Sequence, residues 1–187
     1  MKQNSHAPHR SLTFRLALGG ITAAAYVILT LFSNMFGLAF GSVQFRISEA
    51  LCILPVFFPS SIAGLTLGCI ISNFFSPINI LDVVFGSAAT LAAAILCRLW
   101  RNVRFRSVPI LSPLPAVVIN AVVVGLEIMI FTPGESGGLT AFLIIAAEVA
   151  LGQFVCCYGG GILLFLCLKK LNFEKMVGDA DNGRFWI

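Results

Sequence analysis

Charged residues are scarce in this chain of 187 amino acids, since Asp, Glu, Lys and Arg make up 11% of it against 58% hydrophobic residues. A soluble domain carries roughly 25% charged residues. The apolar segments contain no histidine and no lysine, and the chain has no Gly-x-x-x-x-Gly-Lys-Ser/Thr loop and no His-Glu-x-x-His motif. These absences exclude a P-loop ATPase and argue against a membrane metalloprotease or a Ser–Lys enzyme.

The cysteines also lack the spacing of a disulfide framework or a metal site. The six cysteines lie inside apolar segments, and no two of them form a Cys-x-x-Cys pair. Free cysteine behaves as a small hydrophobic residue in such surroundings. We therefore interpret all six as packing residues and expect no disulfide, no metal site and no cofactor.

Long apolar runs dominate what is present. A bilayer core of about 30 Å is crossed by a helix of about 20 apolar residues. We predict an all-α integral membrane protein with a cytoplasmic tail at 1–15, one membrane domain at 16–170 and a second cytoplasmic tail at 171–187. The first apolar run exceeds the usual length of a signal-peptide core, so we expect it to be retained. The six predicted spans cover about 16–38, 45–58, 60–75, 80–99, 114–131 and 139–168.

The basic residues orient these spans. Cytoplasmic loops are enriched in Lys and Arg. With six spans and both termini in the cytoplasm, eleven of the twelve basic residues fall inside, and Arg46 alone lies on the outer side. Joining the second and third segments as a re-entrant hairpin would place the tails on opposite sides and one basic cluster outside. Six spans are therefore preferred.

Polar side chains then gather in the outer half of the membrane. Ionisable groups at such depth are functional candidates by default. Two simpler interpretations stay open: Arg46 and Glu49 could form an i,i+3 pair, and Asp82 could cap a helix. Glu127 and Glu148 have no basic residue at their depth except Arg46, so they need a cation or hydrogen-bond donors, or else they take up protons. We predict a pocket for a ligand with a protonated amine or a row of N–H groups. Its candidate residues are Gln44, Arg46, Glu49, Asn73, Asp82, Glu127 and Glu148, with Asn120 deeper.

Three function classes follow from this pattern. A pocket without an ATP-binding motif is typical of the binding subunit of a multi-subunit importer. Buried carboxylates that relay protons would instead serve a stand-alone ion-coupled transporter. The stretch Gly134-Glu135-Ser136-Gly137 matches the Gly-x-Ser-Gly of rhomboid proteases. No membrane histidine is present to activate its serine, so we interpret it as an outer loop.

The stretches VQFRISEALCILP, IAGLTLGCIISNFFSP and DVVFGSAATLAAA resemble the QueT family. This family comprises substrate-binding S components of energy-coupling factor transporters, assigned to queuosine precursors. The resemblance implies a six-helix S-component bundle in a bacterial plasma membrane. It also implies association with a T subunit and two ATP-binding subunits, and no nucleic-acid partner. The ligand would be a 7-deazaguanine such as preQ1, preQ0 or queuine, or another vitamin-like molecule.

The resemblance also assigns roles to residues. Glu127 or Glu148 would accept N–H bonds from the guanine-like edge, and a second carboxylate would meet the aminomethyl group of preQ1. Gln44 would touch the ligand, whereas Arg46 and Glu49 would pair with each other or with a deeper carboxylate and hold the loop above it. S components dock on the T subunit through small residues of the first helix. The pairs available here are Gly19 with Ala23 and Gly20 with Ala24.

Overall fold

The computed structural model describes residues 12–40, 43–76, 80–131, 138–173 and 177. Within these ranges the regular secondary structure is helical, apart from one isolated antiparallel bridge between Phe105 and Val108, and turns and irregular segments connect the helices. The α-helices are α1 (Leu12–Met35), α2 (Ser60–Asn73), α3 (Ile80–Leu99), α4 (Leu114–Phe131), α5 (Gly138–Phe154) and α6 (Gly161–Lys170). A 3₁₀ helix covers Ile47–Val56, a short 3₁₀ turn covers Trp100–Asn102, and a π-helical turn, Val155–Gly160, joins α5 to α6.

Four of these helical stretches are long and apolar enough to cross a membrane. They are Leu12–Met35, Ile80–Asn102, Leu114–Phe131 and Gly138–Lys170, the last of which is 33 residues long. Even the shortest, with 18 residues, is about 27 Å long at 1.5 Å per residue. The predicted all-helical fold is confirmed among the described residues, and it is consistent with a membrane bundle.

The second predicted span is not an α-helix. Residues 45–58 were expected to form one, but the structure has the ten-residue 3₁₀ helix Ile47–Val56 instead. Pro55 lies inside it and has no N–H to donate, which disfavours a regular α-helix at that turn. At about 2.0 Å per residue the 3₁₀ helix is about 20 Å long. Residues 51–58 are all buried, so this helix is part of the protein core.

The 3₁₀ helix lies in the middle of the bundle. Neighbouring α-helices pack in chain order from α1 to α5, and the 3₁₀ helix contacts α1, α2, α3, the π-helical turn and α6. Glycines allow the closest of these approaches. A Cβ on Gly64 would lie 2.4 Å from the Gly19 carbonyl oxygen, and a Cβ on Gly68 would lie 2.9 Å from the Ala23 carbonyl oxygen. The α1–α2 contact therefore depends on small residues.

Contacts at the two ends of the bundle show how far the short helices reach. Arg46, before the 3₁₀ helix, bonds to Asn73 at the end of α2 and to Asp82 at the start of α3. At the other end of α3, Arg98 donates to the carbonyl of Pro55 at 2.9 Å, near the end of the 3₁₀ helix. The 3₁₀ helix therefore extends between the same two ends as α3.

Candidate ligand-binding site

Arg46 holds one end of the bundle together. It is 4% exposed, and its backbone is extended just before the 3₁₀ helix, with φ −89° and ψ 103°. Its Nε donates to the Ala39 carbonyl at 2.9 Å, Nη1 donates to Asn73 Oδ1 at 3.1 Å, and Nη2 pairs with Asp82 Oδ2 at 3.3 Å. Its guanidinium also lies over the Phe40 ring, 4.7 Å from the centroid. One side chain thus connects Ala39 and Phe40, which follow α1, with α2 and α3.

Asn73 and Asp82 complete this group. The Asn73 Nδ2 donates to the Asp82 backbone carbonyl at 2.8 Å. A Cβ on Gly86 would lie 2.6 Å from Asp82 Oδ1 and 2.7 Å from Asn73 Nδ2. Asp82 Oδ1 itself is buried and has no hydrogen-bond partner. Gly86 therefore leaves room for two polar side chains, and one carboxylate oxygen of the group stays available.

Glu127, on α4, is the least satisfied polar group of the site. Its side chain is 3% exposed, and neither carboxylate oxygen has a hydrogen-bond partner. The charges of Asp82 and Arg46 both act on it. A buried polar atom without a partner costs free energy, and an isolated buried carboxylate costs far more. A donor or a cation from outside the described residues, or a proton on the carboxyl itself, would relieve this cost.

The loop after α1 is fixed against α5. Gln44 is buried at 3% exposure, and a Cβ on Gly152 would lie 2.2 Å from the Gln44 backbone oxygen. Glu148 lies one turn before Gly152 and is half-buried. The structure thus places Gln44 and Glu148 near the same stretch of α5. Asn120 is buried on α4, seven residues before Glu127, so it lies about 10 Å deeper.

Of the two arrangements expected for Arg46, the pair with Glu49 is not formed, and Arg46 pairs with another carboxylate, that of Asp82. Glu49 is 1% exposed and is held by neutral donors: the Tyr26 hydroxyl donates to Oε1 and the Cys52 thiol donates to Oε2 at 3.1 Å. The Cys157 thiol contacts the Glu49 backbone carbonyl at 3.6 Å. Glu49 therefore links α1 to the 3₁₀ helix and the π-helical turn.

The two candidate docking pairs on α1 differ in their surroundings. Gly19 and Ala23 face α2, where their carbonyl oxygens adjoin Gly64 and Gly68, so this pair is occupied within the chain. Gly20 and Ala24 are exposed. Only the second pair is available to another protein.

Several site-forming residues were not singled out from the sequence. Tyr26, Cys52 and Gly152 sit in apolar runs, and their roles depend on partners 23, 3 and 108 residues away. No signal in the sequence marked Tyr26, although it is one of only two tyrosines. The Gly134–Gly137 motif lies outside the described residues.

These features define a class of protein. A bundle of apolar helices encloses the Arg46 guanidinium, which is clamped between three segments. Three buried carboxylate oxygens, one of Asp82 and two of Glu127, have no protein partner. Among the described residues no group of His, Cys, Asp and Glu could hold a metal ion. The four long apolar helices are those of a multi-pass membrane protein, and the buried polar group at one end of its bundle is the candidate ligand-binding site.

Comparisons with known proteins identify the family. A family model described as QueT transporter matches residues 16–170, so the chain belongs to the QueT transporter family and the predicted resemblance is confirmed. A curated relative, the queuosine precursor transporter QueT of Lactococcus lactis subsp. cremoris (strain MG1363), is 26% identical over 176 residues, which cover 89% of this chain and 99% of the relative. No solved structure matches the chain significantly.

Proposed function

We propose that this protein is the S component of an energy-coupling factor importer in a bacterial plasma membrane. It captures a 7-deazaguanine queuosine precursor at the outer face and passes it to the cytoplasm. The observation that carries the proposal is Glu127, a buried carboxylate with two unpartnered oxygens. The adjacent N1–H and amino N–H groups of a guanine-like edge can supply both missing donors at once. The related queuosine precursor transporter supports this choice of ligand.

The remaining polar groups suit the other side of such a ligand. Arg46 is held in place by Ala39, Asn73 and Asp82, so the position of its guanidinium is fixed before the ligand arrives. Gln44 lies two residues before Arg46 and packs against α5, and its amide can reach a ring nitrogen or a carbonyl oxygen of the ligand. Pre-organised groups of this kind reduce the ordering cost of binding.

We propose that the chain crosses the membrane six times, with both termini in the cytoplasm. The 3₁₀ helix and α2 are the short crossings, about 20 Å and 21 Å long. Non-α backbone at membrane depth is tolerated where protein covers it, and residues 51–58 are buried. The Arg46–Asp82 end then faces outward, and the end with Arg98 faces the cytoplasm.

Energy for import would come from partner subunits. The sequence contains no P-loop motif, and α1 presents the exposed small residues Gly20 and Ala24. Small residues let membrane helices approach closely. We propose that this face of α1 contacts the T subunit, which two ATP-binding subunits drive.

Ligand titration of the purified protein tests the capture step. Isothermal calorimetry with preQ1, preQ0 and queuine should show saturable binding of at least one of them. The variant Glu127→Gln should weaken that binding by roughly tenfold or more, because a hydrogen bond to a charged group contributes about 1.5–3 kcal/mol. Ser112→Ala is the matched control, because the Ser112 hydroxyl is also buried without a partner but precedes α4 at its other end. No binding of any 7-deazaguanine would overturn the ligand assignment.

Transport by reconstituted vesicles tests the mechanism. Uptake should require the T subunit, both ATP-binding subunits and ATP. Uptake by this chain alone in response to a proton gradient would instead establish the ion-coupled alternative.

A further inference from the structure

Acidic groups outnumber basic groups at the outer end of the bundle. Among the described residues there, one guanidinium, that of Arg46, accompanies three buried carboxyl groups: those of Glu49, Asp82 and Glu127. The half-buried Glu148 of α5 adds a fourth. A site with this composition favours a positive charge, because opposite charges attract strongly where water is excluded.

Arg46 is already committed within the protein. Its three nitrogens bond to Ala39, Asn73 and Asp82, and its guanidinium plane lies over Phe40. It therefore neutralises one carboxylate and makes no hydrogen bond to Glu127, whose two oxygens have no partner. The carboxyl groups therefore still outnumber the basic groups, because the Arg46 guanidinium compensates only Asp82.

Among the described residues, three buried carboxylate oxygens have no hydrogen-bond partner: Asp82 Oδ1, Glu127 Oε1 and Glu127 Oε2. A neutral guanine-like edge presents two adjacent donor groups to one carboxylate. Such an edge satisfies the two oxygens of Glu127, but it leaves Asp82 Oδ1 without a donor and the net negative charge of the site uncompensated. A ligand with one further donor that is positively charged would supply the missing hydrogen bond and compensate the charge.

We propose that this site selects 7-deazaguanines that carry a positively charged amine at the 7-position over neutral ones. The inference rests on the proposed function and adds the charge of the ligand to it. The aminomethyl group of preQ1 is an aliphatic amine and is protonated at neutral pH, whereas the nitrile of preQ0 is neutral. The two substituents have the same number of heavy atoms, so comparing them isolates charge and donor capacity from size.

Competition binding to the wild-type protein tests the selection. We expect preQ1 to bind at least tenfold more tightly than preQ0 at neutral pH. Equal affinities, or tighter binding of preQ0, would overturn the charge selection and leave the proposed function standing. Absence of binding by both ligands and by queuine would overturn the proposed function itself, and the charge selection with it.

Charge-removing variants test which groups produce the selection. Glu127→Gln and Asp82→Asn should each reduce the preQ1-to-preQ0 affinity ratio by about fivefold or more, whereas Ser112→Ala should leave it unchanged. The ratio is measured on a single preparation, so partial misfolding of a variant lowers both affinities and does not change it. Wild-type selectivity that persists undiminished in both charge variants would refute the role of these carboxylates. If a variant fails to fold, the wild-type ratio alone still decides whether the site selects charge.

Discussion

Replacing Arg46 by methionine should destabilise the protein strongly. The substitution keeps a long apolar side chain but removes the donors to Ala39, Asn73 and Asp82. Asp82 would then be a carboxylate with both oxygens unpartnered, since Oδ1 already has no partner. Breaking a buried ion pair by removing one member costs about 3–5 kcal/mol. Because both side chains are at most 4% exposed, solvent screening reduces this figure little.

The melting temperature offers a direct measure of the effect. For a chain of this size, 1 kcal/mol corresponds to about 2–4 °C, so Arg46→Met should lower the midpoint by about 6–20 °C. A thiol-reactive dye suits the assay, because five of the six cysteines are buried and react only after unfolding. Cys167 is exposed and gives a constant background, which Cys167→Ser removes.

A double-mutant cycle separates the ion pair from the other contacts. In Arg46→Met/Asp82→Asn neither charge remains. The loss in unfolding free energy of the double variant should therefore be about 2 kcal/mol smaller than the sum of the losses in the two single variants. Additive single effects, or a midpoint shift below about 3 °C for Arg46→Met, would refute the view that this pair clamps its end of the bundle.

Three further predictions concern other contacts of the fold. Gly152→Ala should weaken ligand binding at least tenfold, because its Cβ would lie 2.2 Å from the Gln44 oxygen; Gly159→Ala, with no heavy atom within 4 Å, should bind as wild type in the same titration. Tyr26→Phe leaves one oxygen of the buried glutamate without its donor and should cost about 1–3 kcal/mol in the thiol-dye assay; an unchanged midpoint would contradict that hydrogen bond. Gly20→Leu together with Ala24→Leu should abolish co-purification with the T subunit without changing ligand affinity, and retained complex would show that α1 docks through another face.

The apolar runs were sufficient to predict most of the fold. Length and hydropathy depend only on local composition, and the four long helices lie where the sequence placed them, within a few residues. The short second segment was different. Its apolar run does not distinguish a 3₁₀ helix from an α-helix, and its surroundings inside the bundle decide the outcome.

The Arg46–Glu49 pair shows why part of the site was not predictable. An i,i+3 spacing brings two side chains together only if both residues lie on one helix. Arg46 precedes the 3₁₀ helix in extended backbone, so its side chain points away from Glu49 and toward α2 and α3. The actual partners, Asp82 and Tyr26, are 36 and 23 residues away from Arg46 and Glu49, and no local rule connects them.

The distance along the chain between Arg46 and Asp82 also has a consequence for biosynthesis. A ribosome adds about 5–20 residues per second, so Asp82 emerges about 2–7 s after Arg46. During that interval the guanidinium has no carboxylate partner in α3. We therefore expect the clamp at Arg46 to form only after α2 and the start of α3 have been synthesised, so that the 3₁₀ helix, α2 and α3 become fixed as one unit.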